Sequence, residues 1–182
     1  MKCDLHIHSN CSDGIFSPSK LVEMAKDRGL ECIAVTDHDT FAGVLEAQEK
    51  AREAGMKYIV GAELSSVYEG RDVHILAYNV NMSMDGFKHD LAQIADLRNQ
   101  RNFAMVKKLA EHGITVDLEK LKEQCTVVGR PAIAMEIVRQ GLCNDVPEVF
   151  DKYLGQDKCC FVQTRRLTPT EAIQFTLKYG GL

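Results

Sequence analysis

With 182 residues, the chain is long enough for one folded domain, or for one domain carrying a modest insertion. Hydrophobic residues make up 45% and charged residues 26%, the balance of a globular protein whose core needs no covalent staples. A net charge of -4 argues against a nucleic-acid binder that works through bulk positive charge, and leaves only a local basic patch for that role.

The opening Met1-Lys2-Cys3-Asp4-Leu5-His6 lacks the apolar run of a signal peptide, and no later run reaches the length of a membrane span. The expected location is the cytoplasm, with no membrane partner. Seven cysteines (Cys3, Cys11, Cys32, Cys125, Cys143, Cys159 and Cys160) fall at irregular spacings without a Cys-x-x-Cys pair. They read as reduced thiols, mostly small buried hydrophobes, with Cys11 set apart by its histidine-rich surroundings.

Taken in chain order, residues 3–7 predict a short strand. Ser17-Pro18 predicts a helix start, a cap followed by proline at the first helical position. Leu21, Val22 and Ala25 give that helix one apolar face, and Gly29 stops it. Residues 32–35 predict a buried strand, 42–54 a second helix closed by Gly55, and 58–60 a third strand. After the turn signal Glu69-Gly70-Arg71-Asp72, residues 73–80 predict a fourth strand. Apolar strands alternating with helices point to a parallel sheet, open or closed into a barrel.

From residue 82 to 141 the pattern is helical. Helices are predicted over 85–112, 118–124 and from Pro131 to just before Gly141, with one more over 146–153 and a short strand at 160–162. Thr168-Pro169-Thr170-Glu171 is a capping box that opens a last helix, stopped by Gly180-Gly181. The division expected is a β/α part over 1–80, a helical insertion over 81–165, and a return to the β/α scaffold over 166–182.

The chemistry concentrates at predicted strand ends. His6 and His8 lie two residues apart, which on a strand places both imidazoles on one face. Asp13 follows in the next loop; Thr36-Asp37-His38-Asp39 follows the second strand, Gly61-Ala62-Glu63 the third, and His74 lies in the fourth. Carboxyl ends of strands are where α/β folds place their sites. Imidazoles and carboxylates together suit manganese, zinc or iron. His6, His8, Asp13, His38, Glu63 and His74 exceed the needs of one ion, so two or three divalent ions are expected, with bridging carboxylate and metals about 3.5–4 Å apart clamping a phosphate. His89 and His112, in the helical part, read as ordinary surface or core residues.

The segments Asp4-Leu5-His6-Ile7-His8-Ser9-Asn10-Cys11-Ser12-Asp13-Gly14, Ala34-Val35-Thr36-Asp37-His38-Asp39, Gly61-Ala62-Glu63 and Val73-His74-Ile75-Leu76-Ala77-Tyr78 resemble the opening motifs of the PHP (polymerase and histidinol phosphatase) superfamily. More narrowly, the chain is similar to small bacterial members with a helical insertion, which act on nucleoside 3',5'-bisphosphates and on the 5' ends of short RNAs. The resemblance implies an α/β fold, a distorted (β/α)7 barrel with an all-helical insertion, incomplete here. It also implies a trinuclear centre: His6, His8 and Glu63 on one ion, Glu63 bridging to a second held by His74, and Asp13 with His38 on a third. The implied reaction is hydrolysis of a phosphate ester by metal-bound hydroxide, with Asp37 or His38 assisting proton movement.

Arg130, in Val128-Gly129-Arg130-Pro131-Ala132, fits as a fork for phosphate, and Arg98 and Arg101 are further candidates. Two departures stand out. Ala132 occupies a position where the family usually has a histidine that would approach the phosphate. The family pattern also continues past residue 182 with further ligands, so the chain reads as truncated, with a partial site and an exposed sheet edge. Histidinol-phosphate phosphatase shares the opening motifs and is the rival within phosphatases. A non-catalytic metal-binding module, or an inactive fragment, is the rival of another class. Amidohydrolases also begin with His-x-His but rely on a later lysine.

Overall fold

The computed structural model describes residues 1–123 and 126–182. β1 (Cys3–Ile7), β2 (Cys32–Val35) and β3 (Lys57–Tyr58) form a parallel sheet in that order, so β1 is an end strand. Two helices connect them, α1 (Pro18–Asp27) and α2 (Val44–Glu53). α1 begins as its sequence predicts, with the Ser17 side chain accepting from Lys20 N and proline at the helix start. β2 is buried along its whole length. Ile33 and Val35 pack with Val22 and Ala25 of α1 and with Ala47 and Ala51 of α2. Each large apolar side chain fully buried here contributes about 1.5–3 kcal/mol.

The next pair departs from the parallel arrangement. β4 (Gly61–Tyr68) and β5 (Arg71–Tyr78) are antiparallel, in register from Gly61 opposite Tyr78 to Tyr68 opposite Arg71. The sequence predicts only the second of these strands and treats residues 61–63 as its predecessor's end. The strand of Lys57–Tyr58 is shorter than predicted, and Gly61 opens a new eight-residue strand. A two-residue turn fixes the orientation, because parallel neighbours need a long crossover. Glu69 and Gly70 both have positive φ (48° and 77°), the conformation that matches a hairpin's twist.

Alternation along this hairpin divides its two faces. Ala62, Leu64, Ile75 and Ala77 enter a core with Phe87 and with Phe175 and Tyr179 of the last helix, α7 (Pro169–Lys178). Glu63, Ser65, Asp72 and His74 occupy the opposite face. The hairpin joins the parallel sheet through the segment after β2: Glu63 N donates to Asp37 O (3.1 Å) and Asp39 N donates to Glu63 O (3.0 Å). A side chain at Gly61 would place Cβ 2.9 Å from Thr36 Cγ2, so this close approach requires glycine. On the far side, Tyr78 Oη donates to Leu5 O (2.7 Å), tying β5 back to β1.

The helical part comprises α3 (Phe87–Glu111), α4 (Leu118–Lys122), α5 (Arg130–Arg139) and α6 (Val146–Val149), which continues into a π-helical turn over Phe150–Leu154. Met105, Leu109, Ile133, Ile137, Val149, Leu154 and Cys160 form its core, separate from the two described above. The predicted helix over 118–124 ends at Lys122 among the described residues; its last position and Cys125 lie outside them. Residues 160–162 are turn and coil instead of strand, with Cys160 N donating to Tyr153 O (3.0 Å). The predicted capping box at Thr168 and Glu171 is formed in full. Among the described residues, no helix is long and apolar enough to cross a membrane.

Candidate metal centre and adjoining arginine cluster

β1 carries His6, its extension by one residue carries His8, the segment after β2 carries His38, and the β4–β5 hairpin carries Glu63 and His74. All of them converge on Glu63, which is 4% exposed. Its Oε2 lies 3.1 Å from His6 Nε2, 2.9 Å from His8 Nε2 and 3.5 Å from His38 Nδ1, and its Oε1 accepts from His74 Nδ1 at 2.7 Å. Asp13 closes the other side, 3.3 Å from His8 Nδ1 and 3.6 Å from His38 Nε2. The six side chains singled out in the sequence therefore meet in three overlapping triads: His6, His8 and Glu63; His8, Asp13 and His38; and His38, Glu63 and His74.

The electrostatics of the cluster suit cations. Burial raises the Glu63 carboxyl, but hydrogen bonds to His74, His8 and His6 outweigh it and hold the group far below the usual carboxylate range. The hydrogen bond to Glu63 raises His8 and His74. Burial pushes His38 down, favouring the neutral imidazole that ligates metals. His8 Nδ1 and His38 Nδ1 are buried without a hydrogen-bond partner. Buried nitrogens facing carboxylates without a satisfactory hydrogen bond fit a centre whose missing partners are metal ions.

Asp37 does not face this cluster. It is 2% exposed, and its oxygens accept from Ser9 N (2.7 Å), Ser9 Oγ (2.6 Å) and Ser12 Oγ (2.6 Å). These bonds hold the loop that carries Asp13, a positioning role. Asp37→Asn removes the buried charge that these three donors face and forces the Ser9 hydroxyl to reverse its bond. Chemical denaturation should show a loss of about 1–3 kcal/mol in unfolding free energy. Unchanged stability would remove Asp37 from that role.

Next to the cluster lies a set of arginines. Since Asp72 and His74 share a face of β5, the strand leads from one group to the other over about 7 Å. Asp72 Oδ2 accepts from Arg130 Nη2 (2.9 Å), and Asp72 Oδ1 accepts from Arg166 Nη1. Burial raises the Asp72 carboxyl, but Arg166 and Arg130 more than offset this and hold it low. Arg98 is committed elsewhere: it pairs with Asp39 and donates to Ser65 Oγ (2.6 Å). Arg101 is 8% exposed, pairs with no carboxylate among the described residues, and has a buried Nε without an acceptor. Burial and the nearby Arg98, Arg130 and Arg166 push its pKa down to about 9. One cavity is lined by Asp13, His38 and His74 on one side and by Arg98, Arg101, Arg130 and Arg166 on the other. Ala132, one turn into α5, packs partly buried against the helical core.

Sequence reasoning missed Asp72 and Arg166. A signal for Asp72 exists in its spacing of two from His74 on a strand. Arg166 lies in a coil before α7, where sequence spacing gives no direction.

Residues 4–142 match the family model of the PHP domain. The chain belongs to the PHP-domain family. A 5'-3' exoribonuclease of Haemophilus influenzae is 35% identical to this PHP chain over 182 residues, covering 100% of the chain and 66% of that protein. A 3',5'-nucleoside bisphosphate phosphatase of Chromobacterium violaceum is 28% identical, covering 98% of the chain and 64% of that protein. A solved structure from Bifidobacterium adolescentis, described as a metal-dependent phosphoesterase, superposes with a TM-score of 0.88 at 29% identity, over 100% of the chain and 65% of its own length. The chain thus spans about two thirds of the length of these relatives. Its mixed α/β architecture is that of PHP-like structures; among the described residues the strands form no closed barrel.

Proposed function

We propose that this chain is the metal-binding part of a phosphoesterase that hydrolyses a phosphate ester of a nucleotide, a nucleoside 3',5'-bisphosphate or the 5' end of a short oligonucleotide. The observation that carries the reading is the shared cavity, lined both by imidazoles and a carboxylate of the metal cluster and by four guanidiniums. A cation site beside an anion site is what phosphate-ester hydrolysis needs. The names of the relatives, exoribonuclease and nucleoside bisphosphate phosphatase, point to the same substrate class.

In this reading His6, His8, Asp13, His38, Glu63 and His74 hold two or three manganese, zinc or iron ions. When bound, such ions lower the pKa of water and withdraw charge from phosphoryl oxygens. Arg101 and Arg130 hold the phosphate in the orientation the cation side requires, and the amino end of α5, where Gly129, Arg130 and Pro131 line the cavity, adds a favourable dipole. Arg98, tied to Asp39, keeps the segment carrying His38 in place. The five strands belong to a distorted (β/α)7 barrel of PHP type, with residues 81–165 as a helical insertion and 166–182 as the return to the barrel.

The test is phosphate release by the metal-loaded protein from a nucleoside 3',5'-bisphosphate, a 5'-phosphorylated short RNA and histidinol phosphate. Manganese-dependent release from either of the first two, abolished by a chelator, is the expected result. Release from histidinol phosphate alone would move the substrate assignment. Tight metal binding with no release from any ester would make the chain a binding module.

A further inference from the structure

A second group of metal-ligating side chains lies in the helical part, apart from the imidazole–carboxylate centre. His112 is the C-cap of α3, just after Glu111, and Cys159 and Cys160 are adjacent in the turn that follows the π-helical segment. A ring nitrogen of His112 and the two sulfurs all lie within 4.8 Å of one another. We propose that His112, Cys159 and Cys160 form a separate zinc site that clamps the end of α3 to the 159–160 turn.

The geometry has the right scale. Two thiolates at about 2.3 Å from a tetrahedral zinc stand roughly 3.8 Å apart, and a thiolate and an imidazole nitrogen roughly 3.5 Å apart. The two sulfurs are 3.7 Å apart without any metal. The backbone fixes this turn: Cys160 N donates to Tyr153 O (3.0 Å) and Phe161 N donates to Lys158 O (3.0 Å). Among the described residues the His112 imidazole has no hydrogen-bond partner and meets only the Tyr153 ring, 6.5 Å away between centroids. The ligand atoms are thus nearly pre-positioned, and Cys159 Sγ would give up only a long bond donated to Lys152 O (3.6 Å).

The surroundings also favour a cation. α3 is 25 residues long, and its carboxyl end, the negative end of the helix dipole, terminates at His112. Lys108, whose ammonium acts on the Cys160 thiol, is held by Phe161 O at 2.7 Å. Cys160 is fully buried against Leu109 and Leu154, while His112 and Cys159 are exposed, so the site opens to solvent on one side. Two sulfurs and an imidazole select zinc over magnesium or calcium, and a water molecule supplies the fourth ligand.

Cobalt(II) distinguishes this site from the imidazole–carboxylate centre, because only thiolate ligands give an intense near-ultraviolet charge-transfer band. Titrating the reduced protein with cobalt should bring that band to a plateau equal to one thiolate-bound cobalt per chain, and zinc should displace it. Cys159→Ser should reduce the band by at least half. His112→Ala should keep the band but weaken cobalt binding at least ~10-fold. Both positions are exposed, so neither substitution threatens the fold. Zinc should also shield the exposed Cys159 thiol from a thiol reagent, and His112→Ala should weaken that protection. Absence of the band at saturating cobalt, or a band unchanged by Cys159→Ser, would overturn the site. Unaltered affinity in His112→Ala would remove the imidazole from it.

Discussion

Glu63→Gln is expected to weaken divalent-metal binding at the imidazole cluster by at least ~100-fold, measured by equilibrium dialysis with elemental analysis. Among the described residues, Glu63 is the only carboxylate whose oxygens lie within 3.5 Å of four imidazoles, those of His6, His8, His38 and His74. Glutamine keeps the shape but removes the negative charge that offsets several positive neighbours. It also presents an amide N–H toward a ligand nitrogen. Asp13→Asn should be milder, because Asp13 meets only His8 and His38 in the overlapping triads. Equal losses for the two substitutions would contradict a centre organised around Glu63.

Arg101→Met should separate stability from binding. The guanidinium is buried among three others and has no carboxylate partner among the described residues. Even with its pKa lowered to about 9, the guanidinium stays protonated at neutral pH, so the penalty is relieved more readily by an anion than by deprotonation. Methionine fills a similar volume without charge, and the protein should gain about 1–3 kcal/mol in denaturant unfolding. The same change removes charge-assisted hydrogen bonds to phosphate, and inorganic phosphate should bind roughly 10–100-fold more weakly. Increased stability with unaltered phosphate binding would take Arg101 out of the anion site. Decreased stability would mean that the buried charge is compensated in solution.

The ligand set was legible because strand periodicity is strict. His6 and His8 share a face whatever the tertiary fold, and Glu63 and His74 each sit where a strand can deliver them. Which strands pair was less legible. Glu63, Ser65 and Ser66 interrupt the apolar pattern of β4, so the segment resembles a loop until Ala62 and Leu64 are seen to face the core. The turn at Glu69-Gly70 was readable, yet its consequence, an antiparallel hairpin, required recognising the strand before it. The arginines were harder still. Arg98 and Arg101 occupy one helix only three residues apart, but one is spent on Asp39 and Ser65 and the other is unpaired. That difference comes from what α3 packs against, which no spacing along the helix encodes. Asp37 shows the same limit, since its serine partners lie 25 and 28 residues earlier.

Asp72 holds one arginine with each carboxylate oxygen, one from the start of α5 and one from the coil before α7. On the proposed function it is a placeholder, a half-exposed anion seated among the donors a phosphate would seek. A phosphate entering between Arg130 and Arg166 would trade places with a tethered carboxylate. Only the difference between the two anions would then appear as affinity.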